Sequence, residues 1–197
     1  IEMQVEISGS ARAVYLQAQM KTVLEEIRQY IEFGNAKGGL IFKPYPHNGE
    51  LCMDYSQADM FYPLTFDSNK NITSVVFAYW KKQGNYFYTR FESHQMYADG
   101  LYRIRNVAYR SDSQFYLGNQ VDMTAVSDWS DIQPETWLED ITQPLFGYFR
   151  VPQANSIDPN SPLSVSCFSG VTDQIKEADK QWSRLLWEFE SGEHTDT

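Results

Sequence analysis

The sequence predicts an α+β fold: an antiparallel β-meander sheet flanked by a long N-terminal amphipathic helix and a long C-terminal heptad-patterned helix. Three observations predict it. Apolar residues recur at three and four residues' spacing near both ends. Between them, short runs of β-branched and aromatic residues alternate with tight polar turns, the mark of neighbouring antiparallel strands. At 197 residues with 42% hydrophobic and 15% aromatic content, the chain can bury a real core, which sets it apart from a disordered one.

The first helix begins after "SGS", with Ser10 as its expected N-cap, and carries Val14, Leu16, Met20, Val23, Leu24, Ile27 and Ile31 on one stripe. Gly34, Gly38 and Gly39 are its stop. "LIFKPYP" and "LCMDYS" then read as a hairpin about Asn48-Gly49. The meander follows: "MFYPLTF", "ITSVVFAYWKK", "YFYTRFESHQMYA" and "LYRIRNVAYR", separated by the turns "DSNKN", "QGN" and "DG". The stretch 121–141 is mixed, with an edge strand and one helical turn after Pro134, and "PLFGYFRVP" is a last strand before the loop "QANSIDPNSP".

The final element, expected over 163–191, is the most regular. Phe168, Val171, Ile175, Ala178, Trp182, Leu185 and Phe189 alternate steps of three and four, an a/d stripe, while Lys176, Glu177, Lys180 and Glu188 fall off it. Such a face must be covered, by the sheet of its own chain or by another subunit or helix. Phe168, Val171, Ile175, Trp182, Leu185 and Phe189 are therefore the candidate packing residues.

Charge excludes one class of function. A net charge of −10 with a pI near 4.7 opposes any binding mode that must neutralise many phosphates. Cys52 and Cys167 lie far apart within apolar runs and read as buried free thiols in a reducing compartment. No apolar run approaches the ~20 residues that a membrane-spanning helix needs. The chain opens on Ile1 and closes on the polar "SGEHTDT", which reads as a piece of a longer protein treated as a single domain over 1–197.

One row of residues suggests chemistry. In "YTRFESH", Arg90, Glu92 and His94 share one side of a strand. Phe87, Thr89 and Phe91 occupy the other and are the expected core face, so the charged row is expected to face solvent or a second layer, in cross-strand ion pairs with Arg103 and Arg105 of the next strand. His47, His94 and His194 lack metal-ligand spacing, and Cys52 with His47 lacks a third, orienting group. "GNAKGG" lacks the spacing of a phosphate loop. The many aromatic residues of the meander, among them Tyr62, Phe77, Tyr79, Trp80, Tyr86, Tyr88, Tyr97, Tyr102 and Tyr109, fill a sheet face or form a ligand- or glycan-stacking platform. No catalytic residues, metal ligands or cofactor are expected.

The order of blocks resembles a known family. "YIEFGNAKGGLIFKPY", "NGELCMDYSQADMFYPLTFDSNKNITSVVFA", "YFYTRFESH", "YRIRNVAY", "LGNQVDM" and the run from "PLFGYFRVP" to "LLWEFE" resemble portal proteins of tailed phages of Gram-positive bacteria, also described as minor capsid proteins. The last block, with Pro162-Leu163 opening a helix whose polar side carries Asp173, Asp179 and Glu188, is the most specific. The resemblance implies a non-enzymatic wing region with the 163–191 helix leading toward the stem. It implies a homo-oligomeric ring of about twelve subunits at one capsid vertex. The implied partners are other portal subunits, capsid and scaffold proteins, terminase and tail connector, with double-stranded DNA passing through without sequence-specific binding. The implied location is the virion, and the host bacterial cytoplasm during assembly.

Overall fold

The computed structural model describes residues 5–47 and 49–193. Asn48 of the expected turn and His194 lie outside the described residues. Over the described residues the architecture is α+β: α1 (Ala13–Lys37), nine strands and α2 (Thr172–Glu193). Strands β1 (Leu40–His47), β2 (Glu50–Gln57) and β9 (Gly147–Phe149) form one antiparallel sheet in the order β2-β1-β9. The second sheet is the meander: β3 (Phe61–Phe66), β4 (Ile72–Gln83), β5 (Tyr86–Met96) and β6 (Tyr102–Ser111). Both β7 (Asn119–Val121) and β8 (Glu135–Leu138) pair with β6, at its two ends.

Three layers result. Alternation gives the first sheet two apolar faces. Gly34 lies so close to Leu40 and Phe149 that a Cβ there would stand 3.1 Å from Leu40 Cβ, and Tyr30 stacks on Tyr55 with centroids 3.8 Å apart, so α1 covers one face. The other face carries Ile41, which packs with Phe61, Val75, Phe77 and Phe146 between the sheets. Further along the inner face of the second sheet, Tyr88 and Ala108 pack against Met123, Val126 and Trp129, held by two 3-10 turns at Met123–Ala125 and Ser127–Trp129.

Several expected boundaries move. The helix α1 begins at Ala13, with Arg12 at the cap making no side-chain bond; Ser10 contributes its carbonyl to Ala13 N. Gly34 is inside the helix because the layer beneath leaves no room for a side chain, and the stop is Gly38, whose left-handed φ of 90° directs its N–H to Gly34 O. After Pro134 the chain forms strand β8 instead of a helical turn, because the edge of β6 offers it a partner.

The expected helix at Pro162-Leu163 is also corrected. Ser164 N donates to Tyr148 OH and Ser164 Oγ to Gly38 O at 2.5 Å, and Cys167 N donates to Asn35 O at 3.0 Å. Backbone groups that a helix would use internally are spent on the first sheet and α1, so α2 begins only at Thr172. Phe168 and Val171 consequently precede the helix. The thiols also differ from expectation: Cys52 is half-buried and Cys167 is exposed, because that segment crosses the surface.

Candidate functional site

The charged row on β5 lies inside the protein against a second layer, one of its two expected surroundings, whereas the expected core face of the same strand turns outward. Arg90, Glu92 and His94 are 8%, 9% and 4% exposed, while Phe87, Thr89 and Phe91 face outward and are partly exposed. Hydropathy alone favours the phenylalanine face as core. The opposing sheet reverses that preference by supplying charges to match the row.

Lys43, on the inward face of β1, donates to Glu92 Oε1 at 2.5 Å and lies 3.3 Å from Asp54 Oδ2. It also donates to Tyr79 OH, and Tyr79 in turn donates to Asp54 Oδ2 at 2.7 Å. Arg90 Nη1 donates to Glu92 Oε2 and to Asn106 Oδ1, each at 3.1 Å, with its guanidinium stacked 4.3 Å from the Tyr79 ring centroid. His94 Nε2 is 3.0 Å from Glu92 Oε1, and its Nδ1 is 3.0 Å from Tyr102 OH. An Nε2–H tautomer satisfies both contacts, donating to the carboxylate and accepting from the phenol. Two carboxylates thus face two permanent cations, and the cluster is internally balanced.

These contacts set the acidities. Burial pushes the Glu92 carboxyl up, but the His94 hydrogen bond together with Lys43 and Arg90 outweighs it, and the pKa falls from 4.5 to about 2. Burial, followed by the neighbouring Glu92 and Asp54 charges, drives Tyr79 far above its usual range. Tyr102 is pushed up to about 12, chiefly by burial. Chemically the cluster offers an anion already saturated by donors and cations already neutralised. The clefts at Trp80 and Tyr116 and at Lys70 and Arg150 are lined by other residues. Its work is to join the two sheets.

Arg103 and Arg105 take no part, which corrects the expected cross-strand pairs. The register sets Ser93 opposite Arg105, Gln95 opposite Arg103, and Asn106 opposite Glu92, so both arginines project from the other face. Arg103 Nε instead donates to Glu135 Oε1 at 2.8 Å and lies over Trp137. Lys43 and Asp54 were not singled out from the sequence. The available signal was a lysine two residues from Ile41 within the apolar strand "LIFKPYP", on the same face.

The candidates within α2 do come together on one side of it, and no described residue covers them. Every described side chain from Thr172 to Gly192 is exposed. On the stripe, Ile175, Trp182, Leu185 and Phe189 are 47%, 62%, 41% and 66% exposed, joined by Leu186. The aromatics of the meander divide between faces. Phe77, Tyr79, Tyr88 and Tyr102 point between the layers, whereas Tyr62, Trp80 and Tyr109 lie on the outer face with Phe87, Phe91 and Val107. At one end of that face a cleft of about 380 Å³ is walled by Trp80, Lys82, Phe87, Thr89, Phe115 and Tyr116.

Among the described residues no group of His, Cys, Asp and Glu could hold a metal ion, and no helix is long and apolar enough to cross a membrane. No protein-family model matches the chain, and no curated protein matches it.

Proposed function

We propose that this chain is an assembly protein: the wing part of a phage portal subunit, with α2 leading toward the stem. In this reading it takes its place in a homo-oligomeric ring at one capsid vertex. The ring forms the channel for DNA packaging and ejection and the docking point for terminase and tail. The observation that carries the reading is the apolar stripe of α2, uncovered from Ile175 to Phe189 by any described residue of its own chain. A helix that leaves large side chains such as Trp182 and Phe189 in water is stable as part of a larger body that buries them.

Further support comes from the order of sequence blocks, which resembles that of portal proteins, and from the charge balance of the buried cluster on β5, where Lys43 and Arg90 meet Glu92 and Asp54. The net charge of −10 suits a channel past which DNA slides without sticking. The chain performs no catalysis in this reading; ATP hydrolysis belongs to the packaging motor. Capsid, scaffold and tail connector proteins are its other partners, in the virion and in the host bacterial cytoplasm during assembly.

Electron microscopy of the protein at its full encoded length tests this. Rings of about twelve subunits with a central channel are expected; a persistent monomer under assembly conditions overturns the proposal. A ligand- or glycan-binding reading draws on the aromatic cleft at Trp80 and Tyr116. Saturable carbohydrate binding lost in Trp80→Ala would put that reading first.

A further inference from the structure

Two apolar faces lack a partner among the described residues, and the layering keeps them apart. One is the α2 stripe. The other is the outer face of the second sheet, where Tyr62, Trp80, Phe87, Phe91, Val107 and Tyr109 stand together, Trp80 being 56% exposed. The segment leading into α2 is rooted beside the C-terminal end of α1 by the Cys167 N to Asn35 O bond and by Ser164 against Gly38. That root lies at the α1 side of the layers, whereas the aromatic face lies beyond both sheets. The helix of a given copy leaves from the wrong side to cover its own sheet.

We propose that α2 of one copy lies along the outer face of the six-stranded sheet of a second copy. This deepens the assembly reading and rests on it, naming the elements that meet. The dimensions agree. A helix of 22 residues spans about 33 Å, and β4, β5 and β6, of 12, 11 and 10 residues, run about 33–40 Å. The helix therefore fits alongside the strands over their whole length.

The charges agree as well. Six acidic residues against three basic ones make α2 negative, and Asp179 and Glu190 border its stripe. The sheet face carries Lys82 at one end, over the Phe87 ring, and exposed Arg105 toward the other. Glu135, across from Arg105, is already taken by Arg103 and Trp137. At the Lys82 end, the loop bearing Phe115, 81% exposed, and Tyr116 raises the wall of the cleft, which seats the Trp182 indole of the incoming helix. The contact is heterologous, helix to sheet, so each copy offers one half to each of two neighbours, the kind of contact that makes a ring when the rotation between copies closes.

The test uses the whole chain, followed by analytical ultracentrifugation over a concentration series, with Trp80→Glu on the sheet face and Leu185→Glu on the helix. Each variant alone is expected to weaken self-association by about tenfold or more. Mixed in equal amounts, they are expected to form a dimer and stop there, because the intact helix of Trp80→Glu meets the intact sheet of Leu185→Glu once. If Trp80→Glu assembles as the unsubstituted chain does while Leu185→Glu fails, α2 pairs with another α2 and the inference falls, leaving the assembly reading in place. If the unsubstituted full-length protein stays monomeric at all concentrations, both fall. Phe115→Ala, on a surface loop, repeats the sheet-side test without touching a strand; unchanged association there also overturns the inference.

Discussion

Lys43 of β1 donates to Glu92 of β5 at 2.5 Å, and this ion pair joins the two sheets across the interior. Both side chains are almost wholly buried, so breaking the pair leaves a buried charge with fewer partners.

Removing either partner is therefore costly, and unequally so. Glu92 accepts from Lys43, Arg90 and His94, whereas the loss of Lys43 leaves Glu92 two of its donors. Glu92→Gln is expected to destabilise the fold by about 3–5 kcal/mol and Lys43→Met by less. Urea unfolding followed by tryptophan fluorescence measures both; equal or reversed costs would contradict the assigned network.

The same carboxylate sets an acid limit. Its folded pKa of about 2 lies below the ordinary 4.5, so the stability it contributes is fully present above about pH 4.5 and disappears as the pH falls toward 2. Stability of the unsubstituted chain should decline through that window. The difference from Glu92→Gln should narrow with it, as read from urea midpoints between about pH 6 and pH 2.

Substitution on α2 should have the opposite profile. With Trp182 and Phe189 in solvent, Trp182→Ala and Phe189→Ala are expected to change the monomer's unfolding free energy by no more than about 0.5 kcal/mol. Self-association should weaken in the same proteins. A loss of several kcal/mol in monomer stability would mean that the helix packs on its own chain.

Gly38 holds a junction. Its φ is 90°, and a Cβ there would stand 2.7 Å from Ser164 O, so Gly38→Ala strains the end of α1 and pushes away the segment that roots α2. A cost of about 1–3 kcal/mol is expected in thermal or urea unfolding.

The two thiols should separate kinetically. Cys167 is exposed and Cys52 half-buried, so a thiol reagent should modify one group rapidly in the folded protein and the second more slowly. Mass mapping of the first adduct identifies Cys167 if the surface path of 163–171 is correct.

Much of the fold was legible in the chain. Turn residues separated by runs such as "ITSVVFAYWKK" and "YFYTRFESH" specify β4 and β5, because polar turns and β-branched or aromatic strands are local preferences. The a/d stripe specifies α2 for the same reason. The start of α2 was not legible: Ser164 and Cys167 bond to Tyr148, Gly38 and Asn35, residues distant in sequence.

By itself, then, the sequence determined the periods: which residues of β5 share a face, and which side of α2 is apolar. Only the tertiary structure decided which faces are covered. Burial depends on what the opposing layer offers. Lys43, Asp54 and Tyr79 offer charges and hydrogen bonds that draw Arg90, Glu92 and His94 inward, while no layer among the described residues reaches the stripe of Trp182 and Phe189.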